Sequence, residues 1–193
     1  ARIGRGRRHV HPCFACAGAL RLALSCVEAV MGNFAIYEMA VGGGTLAVCP
    51  LAGRGGDYAG DLARVRAWGA DIVLTMVEAE ELAAKGAAGF GADVVPSAWL
   101  HFPVVDYHVP DAGQADQWAA MEAQILTGLA QGGRVLVHCM GGCGRSGMAV
   151  LRVMIAAGEM PDLALVRLRT LRPCAVETEA QLAWATGRAG TEL

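Results

Sequence analysis

The stretch Val135-Leu-Val-His-Cys-Met-Gly-Gly-Cys-Gly-Arg-Ser-Gly-Met148 carries the residue types best suited to chemistry in this chain. An apolar run enters a glycine-rich segment in which Cys139 is followed, after five residues, by Arg145. A strand that feeds a compact loop and then a helix gathers backbone N–H groups at a helix N-terminus, which is an anion site. Gly141, Gly142 and Gly144 permit the tight turns and close backbone approach that such a cradle needs. Arg145 adds a planar guanidinium matched to two oxygens of a phosphate group. A thiol becomes a strong nucleophile when a helix N-terminus or a cation favours its thiolate. Cys139 stands at the base of both, aimed at whatever anion the loop holds. Met140, Gly141, Gly142, Cys143, Gly144 and Arg145 then form the binding surface. Ser146 can donate a hydrogen bond to the thiolate, and His138 can fix the loop through its ring nitrogens.

Cleaving a phosphate ester in such a cradle also requires an acid for the leaving oxygen. Two aspartates stand before the same helical run, Asp106 and Asp111. Asp111 directly precedes that run and is a natural N-cap, which favours Asp106 as the acid while leaving Asp111 as its rival. His101 and His108 flank this segment and read as solvated or structural histidines. Asp93 and the run Glu78, Glu80, Glu81 read as a solvated face.

The elements that must position these groups alternate between strand and helix. Phe34 to Ala40 and Thr45 to Cys49 flank three glycines and suggest a hairpin. Asp57 can cap a helix through Trp68, with Leu62, Val65 and Trp68 as its apolar stripe and Gly69 as its stop. Asp71 to Met76 reads as a buried strand, followed by a short helix over Glu78 to Ala84. Trp99 to Val105 reads as a strand that Pro103 confines to an edge or an end. A helix over Gln114 to Ala130 precedes the strand Arg134 to His138, and further helices begin near Ser146, Pro161 and Thr178. The alternation predicts an α/β fold: one domain with a central, mostly parallel sheet flanked by helices.

Composition narrows the classes. The chain has 193 residues, a formal net charge of −2, 54% hydrophobic and 18% charged residues. Such a chain can bury a real core and is not compositionally disordered. Nothing marks the basic excess of a nucleic-acid binder. Lys85 is the one lysine among 16 basic residues, a bias that says little about function. No apolar run approaches the roughly 18 residues of a membrane span, since Arg21 and Glu28 break the Pro12–Met31 stretch. Seven scattered cysteines fit no disulfide-scaffold spacing, so reduced thiols and a cytoplasmic location are the expectation.

Residues 1–32 differ in character and read as an N-terminal extension to a domain over 33–193. Arg2, Arg5, Arg7 and Arg8 precede an apolar stretch in the manner of a secretory signal, but Arg21 interrupts it and no clean small-x-small site follows. An accessory helix with Leu20, Leu24, Val27 and Met31 on one face fits better, as does a true start at Met31. Cys13-x-x-Cys16 near His9 and His11 lacks a second cysteine pair for zinc, so no metal is expected.

His138-Cys139-Met-Gly-Gly-Cys-Gly-Arg145-Ser146 resembles the signature loop of the cysteine-dependent protein tyrosine and dual-specificity phosphatases, within them the kinase-associated (cyclin-dependent kinase inhibitor 3-like) branch. Asp61 to Gly69 with Ile72 to Leu82, Phe102-Pro-Val-Val-Asp106 through Pro110-Asp111, and Val166 to Thr178 with Gln181 resemble further segments of that branch. The similarity runs over about Phe34 to Trp184. It implies a phosphatase domain that needs no cofactor and acts on a phosphorylated protein or peptide, with neither nucleic acid nor membrane as partner. In such a domain Cys139 is the nucleophile, Arg145 the phosphate clamp and Asp106 the general acid. Gln181 would position the hydrolytic water, although a polar position on a terminal helix is an equal reading.

Two positions depart from the family. Cys143 stands four residues from the nucleophile and suggests a protective Cys139–Cys143 bond. Cys174 stands where relatives often have glycine and reads as packing. A phosphoinositide or RNA 5′-phosphate would call for basic side chains in the loop, which has none besides Arg145. A sulfurtransferase would not need Asp106. A non-catalytic phosphate-binding module is the alternative from another class, although such modules typically lose the cysteine, arginine or acid that this chain keeps.

Overall fold

The computed structural model describes residues 34–188, and the proposed N-terminal helix, leader and Cys13/Cys16 site lie outside the described residues. Five strands form one sheet in the order β1-β2-β5-β3-β4. They are β1 (Tyr37–Val41), β2 (Gly44–Pro50), β3 (Ile72–Thr75), β4 (Ala98–His101) and β5 (Arg134–Cys139). Only β1 runs antiparallel, joined to β2 by the tight Gly42-Gly43 turn in which both glycines have positive φ. The pairs β2–β5, β5–β3 and β3–β4 are all parallel.

This is the sheet that the alternating pattern predicts, and its burial follows the same logic. Val135, Leu136 and Val137 in the central strand are wholly buried, as a strand covered on both faces must be. Strand β4 lies at the edge and ends at His101, ahead of Pro103, yet the backbone continues alongside β3 through Phe102 N–H to Thr75 O and Val104 N–H to Met76 O.

Among the described residues seven α-helices connect and flank the strands: α1 (Tyr58–Trp68), α2 (Ala79–Ala84), α3 (Phe90–Asp93), α4 (Ala115–Ala130), α5 (Gly144–Ala156), α6 (Pro161–Leu171) and α7 (Glu179–Ala185). Asp57 caps α1 by accepting from Gly60 N–H, and Gly69 closes it in the left-handed conformation at φ 71°, as their residue types require. Helix α5 buries nearly every residue from Gly144 to Met154 and packs on β2 and β5 as well as on α6 and α7. It starts two residues earlier than Ser146, so that Cys143 is its N-cap. The single turn α3 carries no amphipathic period, and its Phe90 enters the core.

Asp93 is not simply a solvated residue. It accepts from Tyr58 Oη–H at 2.7 Å, and burial together with that hydrogen bond pushes the phenol well above its ordinary pKa. No helix among the described residues is long and apolar enough to cross a membrane, and no cluster of metal-ligating side chains occurs among them.

Candidate active site

Parallel strands deliver their C-terminal ends to one edge of the sheet, where open α/β sheets bind ligands. Here β5 ends at Cys139 and the chain turns through residues 140–143 into α5. Cys139 is a free, buried cysteine whose Sγ lies 3.2 Å from Ser146 Oγ. The structure therefore brings the thiol and the hydroxyl together as the spacing predicts.

The direction of the loop peptides is set from outside. Met140 O accepts from Leu51 N–H at 3.3 Å, Gly141 O from Arg172 Nη2 at 2.8 Å and Gly142 O from Arg172 Nε at 3.0 Å. In a trans peptide the C=O and the next N–H point opposite ways. Turning these three carbonyls outward therefore turns the N–H groups of Gly141, Gly142 and Cys143 inward. Gly142 is indispensable to this path: its φ is 68°, and a Cβ there would come within 2.6–2.7 Å of the Cys49–Pro50 backbone.

Arg145 is almost wholly buried, and three hydrogen bonds and one further ion pair fix its plane. Nη1 donates to Glu81 Oε2 at 2.6 Å and to Val104 O at 3.0 Å, and Nη2 donates to Glu81 Oε1 at 2.9 Å. Nη2 also lies 3.0 Å from Asp106 Oδ1. Nε has no partner, which leaves one buried donor of the guanidinium open to an anion. Partial burial alone would raise the Glu81 carboxyl, but the Arg145 and Glu78 hydrogen bonds outweigh it and hold the group below its usual value. For Arg145 burial works against the charge, and Glu81 more than restores it.

The acidic run is thus not only a solvated face. Glu81 is turned inward by the capping box at the start of α2, where it also accepts from Glu78 N–H. The sequence signal was present in that box, since a glutamate at the third helical position folds back over the helix start.

His138 is completely buried. Its Nε2 lies 2.7 Å from Thr75 Oγ1, which itself accepts from Trp99 Nε1–H at 2.8 Å. With the hydroxyl donating, His138 carries its proton on Nδ1. Burial pushes the imidazole down to about 3, and the charges of His101 and Arg145 act in the same direction. His138 is therefore a neutral strut for the loop. Thr75 and Trp99 were not singled out by sequence, where a threonine in an apolar strand and a strand tryptophan are both ordinary.

The two candidate acids separate cleanly in place. Asp106 is about half exposed and faces Arg145, whereas Asp111 and Gln114 form a capping box at the 3-10 turn that precedes α4. Gln181 is fully buried: Oε1 accepts from Glu177 N–H and Nε2 donates to the His108 carbonyl. It adjoins the signature loop, because a Cβ on Gly144 would lie about 3 Å from its amide. His108 Nδ1 contacts Asp106 O, and His101 Nε2 contacts Val77 O, so both histidines brace backbone.

One expectation is corrected. Cys143 bonds to Cys174, with Cα atoms 5.2 Å apart, and not to Cys139. Cys174 is accordingly a bridge partner rather than packing, and reduced thiols among the described residues are Cys49 and Cys139. Loop 140–143 is too short to fold back on its own strand, whereas the α6–α7 connection crosses directly beside it through Val176 N–H and Cys143 O.

The sequence model of a family described as the Swiss Army Knife protein, DSP-PTPase phosphatase domain, matches residues 59–184. The chain belongs to this phosphatase family. Protein tyrosine phosphatase domain-containing protein 1 of Mus musculus is 30% identical over 96 residues, covering 48% of this chain and 13% of that protein. Putative tyrosine phosphatase 067L of Invertebrate iridescent virus 3 is 31% identical over 96 residues, covering 47% of this chain and 40% of that protein. The similarity thus spans well under half of either relative. Among solved structures, kinase associated phosphatase with its catalytic-site cysteine replaced by serine has a TM-score of 0.71 at 18% identity, covering 83% of this chain and 98% of that one. Tk-PTP in its active form has a TM-score of 0.58 at 27% identity, covering 78% and 95%. The fold is that of the kinase-associated and dual-specificity phosphatases, which bears out the resemblance carried by the signature loop.

Proposed function

We propose that this domain, taken as residues 33–193, hydrolyses phosphomonoesters on proteins or peptides through a phospho-cysteine intermediate. The observation that carries the reading is the Arg145 guanidinium. It is locked by Glu81, keeps Nε open, and holds Asp106 3.0 Å away beside a loop whose base is Cys139. A phosphate dianion entering the cradle takes the inward N–H groups and the Nε/Nη2 edge of Arg145. Asp106 is displaced from Nη2 and swings to the leaving oxygen.

The Cys139 thiolate attacks phosphorus, the P–O bond to the leaving group breaks, and Asp106 delivers its proton to that oxygen. In the second step Asp106 takes a proton from water, the water oxygen attacks phosphorus, and the P–S bond breaks. Ser146 donates to the departing thiolate. Gln181, anchored through its Oε1, offers its amide N–H edge for placing that water.

A protein substrate is supported by the rim. Val105 and Tyr107 flank Asp106 as exposed apolar side chains, and no loop side chain besides Arg145 is basic, so nothing selects a polyanion. Discrimination between phosphotyrosine and phosphoserine or phosphothreonine follows from how deeply this rim sets the phosphate.

The test is hydrolysis of p-nitrophenyl phosphate with EDTA present, alongside Cys139→Ser. Turnover that survives chelation and vanishes in Cys139→Ser supports the reading. Wild-type protein that binds phosphate without turning over the ester overturns it in favour of a phosphate-binding module.

A further inference from the structure

The signature loop is tied to the rest of the chain by a bond that the catalytic scheme does not use. Cys143 closes the loop at the N-cap of α5, and its bridge to Cys174 crosses to the α6–α7 connection. The two sulfurs are not equivalent. Both cysteines are partly exposed, Cys174 next to the exposed Pro173, so the difference lies in their charged neighbours. Cys143 Sγ lies 3.5 Å from Nη2 of the buried Arg172, the guanidinium that also holds the Gly141 and Gly142 carbonyls. Thiol–disulfide exchange is fastest when the accessible sulfur is attacked and the sulfur better stabilised as a thiolate leaves. Arg172 and the first turn of a 13-residue helix both stabilise negative charge at Cys143.

We propose that the Cys143–Cys174 bridge is a thiol-exchange site that sets the anion affinity of the signature loop. A dithiol reductant attacks Cys174 sulfur, the S–S bond breaks, and Cys143 leaves as a thiolate paired with Arg172. The second thiol of the reductant then attacks the mixed disulfide, releasing Cys174 as a thiol and the reductant as its cyclic disulfide. A disulfide-class oxidant reverses both steps. Opening acts on the loop twice. It places a negative charge at Cys143, on the outer side of the loop beside the Gly141 carbonyl, and it draws Arg172 towards that charge and away from the carbonyls that turn the loop N–H groups inward. The closed bridge is therefore the form that binds a phosphate dianion well. The inference rests on the phosphatase reading for its consequence in catalysis, but not for its consequence in phosphate binding.

The test uses the whole chain purified without reductant. Peptide mapping after alkylation identifies which cysteines are bridged and confirms that Cys139 is free. Calorimetry then measures the affinity for orthophosphate before and after dithiothreitol, in wild type and in Cys174→Ala. One added like charge behind the loop, in a partly buried site, together with loosened carbonyl contacts is worth about tenfold in affinity. The wild-type Kd is expected to rise by that factor on reduction. Cys174→Ala is expected to keep the weaker value under both conditions. A map without the Cys143–Cys174 peptide, or a wild-type Kd indifferent to dithiothreitol, overturns the proposal. Redox-dependent phosphate binding without ester turnover would defeat the phosphatase reading and leave the bridge proposal standing. Turnover lost in Cys139→Ser but unmoved by reduction, with Cys139 free throughout, would do the reverse.

Discussion

Glu81→Gln tests whether a residue outside the signature loop sets the reactive geometry. The substitution keeps the shape and one carbonyl acceptor but removes the charge, turning a two-point carboxylate clamp on Arg145 into a single neutral hydrogen bond. Arg145 stays buried, so the change is felt there as loss of a buried counter-ion. Removing one partner of a fully buried pair costs about 3–5 kcal/mol. The Glu81 side chain is 22% exposed, and Val104 O and Asp106 remain to Arg145, so the cost falls below that range, to about 2 kcal/mol. For a domain of this size that is a fall in Tm of roughly 4–8 °C.

Asp106 becomes the sole carboxylate on the guanidinium. Arg145 is then drawn to the acid and away from the plane that presents Nε to phosphate, and kcat/KM on a phosphotyrosine peptide should fall about 10- to 100-fold. The loss should be smaller in an Asp106→Asn background, because the competing pull is gone, and a double-mutant cycle reads this coupling. Glu81→Gln within twofold of wild type in kcat/KM, or additive with Asp106→Asn, would refute the claim that Glu81 orients Arg145.

Asp106→Asn and Asp111→Asn should diverge by substrate: Asp106→Asn loses about 100-fold or more in kcat on a phosphotyrosine peptide and much less on p-nitrophenyl phosphate, whose leaving group needs little protonation. Asp111→Asn, a cap residue with its Gln114 partner, should lose about 1 kcal/mol of stability at most and keep kcat. Buried His138 binds its proton only near about 3, while the unfolded chain does so near 6.5. Stability is thus undiminished above 6.5 and falls as pH drops through the window towards 3; urea midpoints should show about 2 kcal/mol less at pH 5 than at pH 7, a difference that Thr75→Val leaves in place and His138→Gln removes. Gly142→Ala combines a left-handed φ with a clash against the Cys49–Pro50 backbone; circular dichroism melts should show a loss of about 3 kcal/mol, and phosphate binding should go with it.

Most of the frame was legible in the sequence because it depends on local rules. Asp57 and Gly69 bracket α1, Thr178 caps α7 through a box with Gln181, and the Val135–Val137 run is apolar enough to be a strand buried on both faces. Elements without a period of their own were not legible, such as the single turn at Phe90–Asp93. At the site, Cys139, Arg145 and Ser146 are adjacent in sequence and could be read as a unit. Glu81, Thr75 and Arg172 could not, because each reaches the loop across 64, 63 and about 30 residues of chain respectively. The bridge partner of Cys143 is hidden from the sequence for the same reason. Proximity along the chain pointed to Cys139, while proximity in the fold is decided by where the α6–α7 connection passes.

These distant residues are what make the loop an anion site. A glycine-rich turn has no intrinsic reason to point its N–H groups inward, since the opposite arrangement is as accessible to glycine. What selects one direction is the set of partners outside: Leu51 N–H and Arg172 take the carbonyls, and Gly142 admits the turn against β2. Arg145 is likewise directed from outside, by Glu81 from the β3–α2 segment and Val104 from the acid-bearing loop. Because Val104 lies two residues before Asp106, one hydrogen bond couples the position of the phosphate clamp to that of the acid. A perturbation that shifts the 102–111 segment must therefore displace both groups together. Substitutions there should lower phosphate affinity and proton delivery in parallel, even where neither Arg145 nor Asp106 is itself changed.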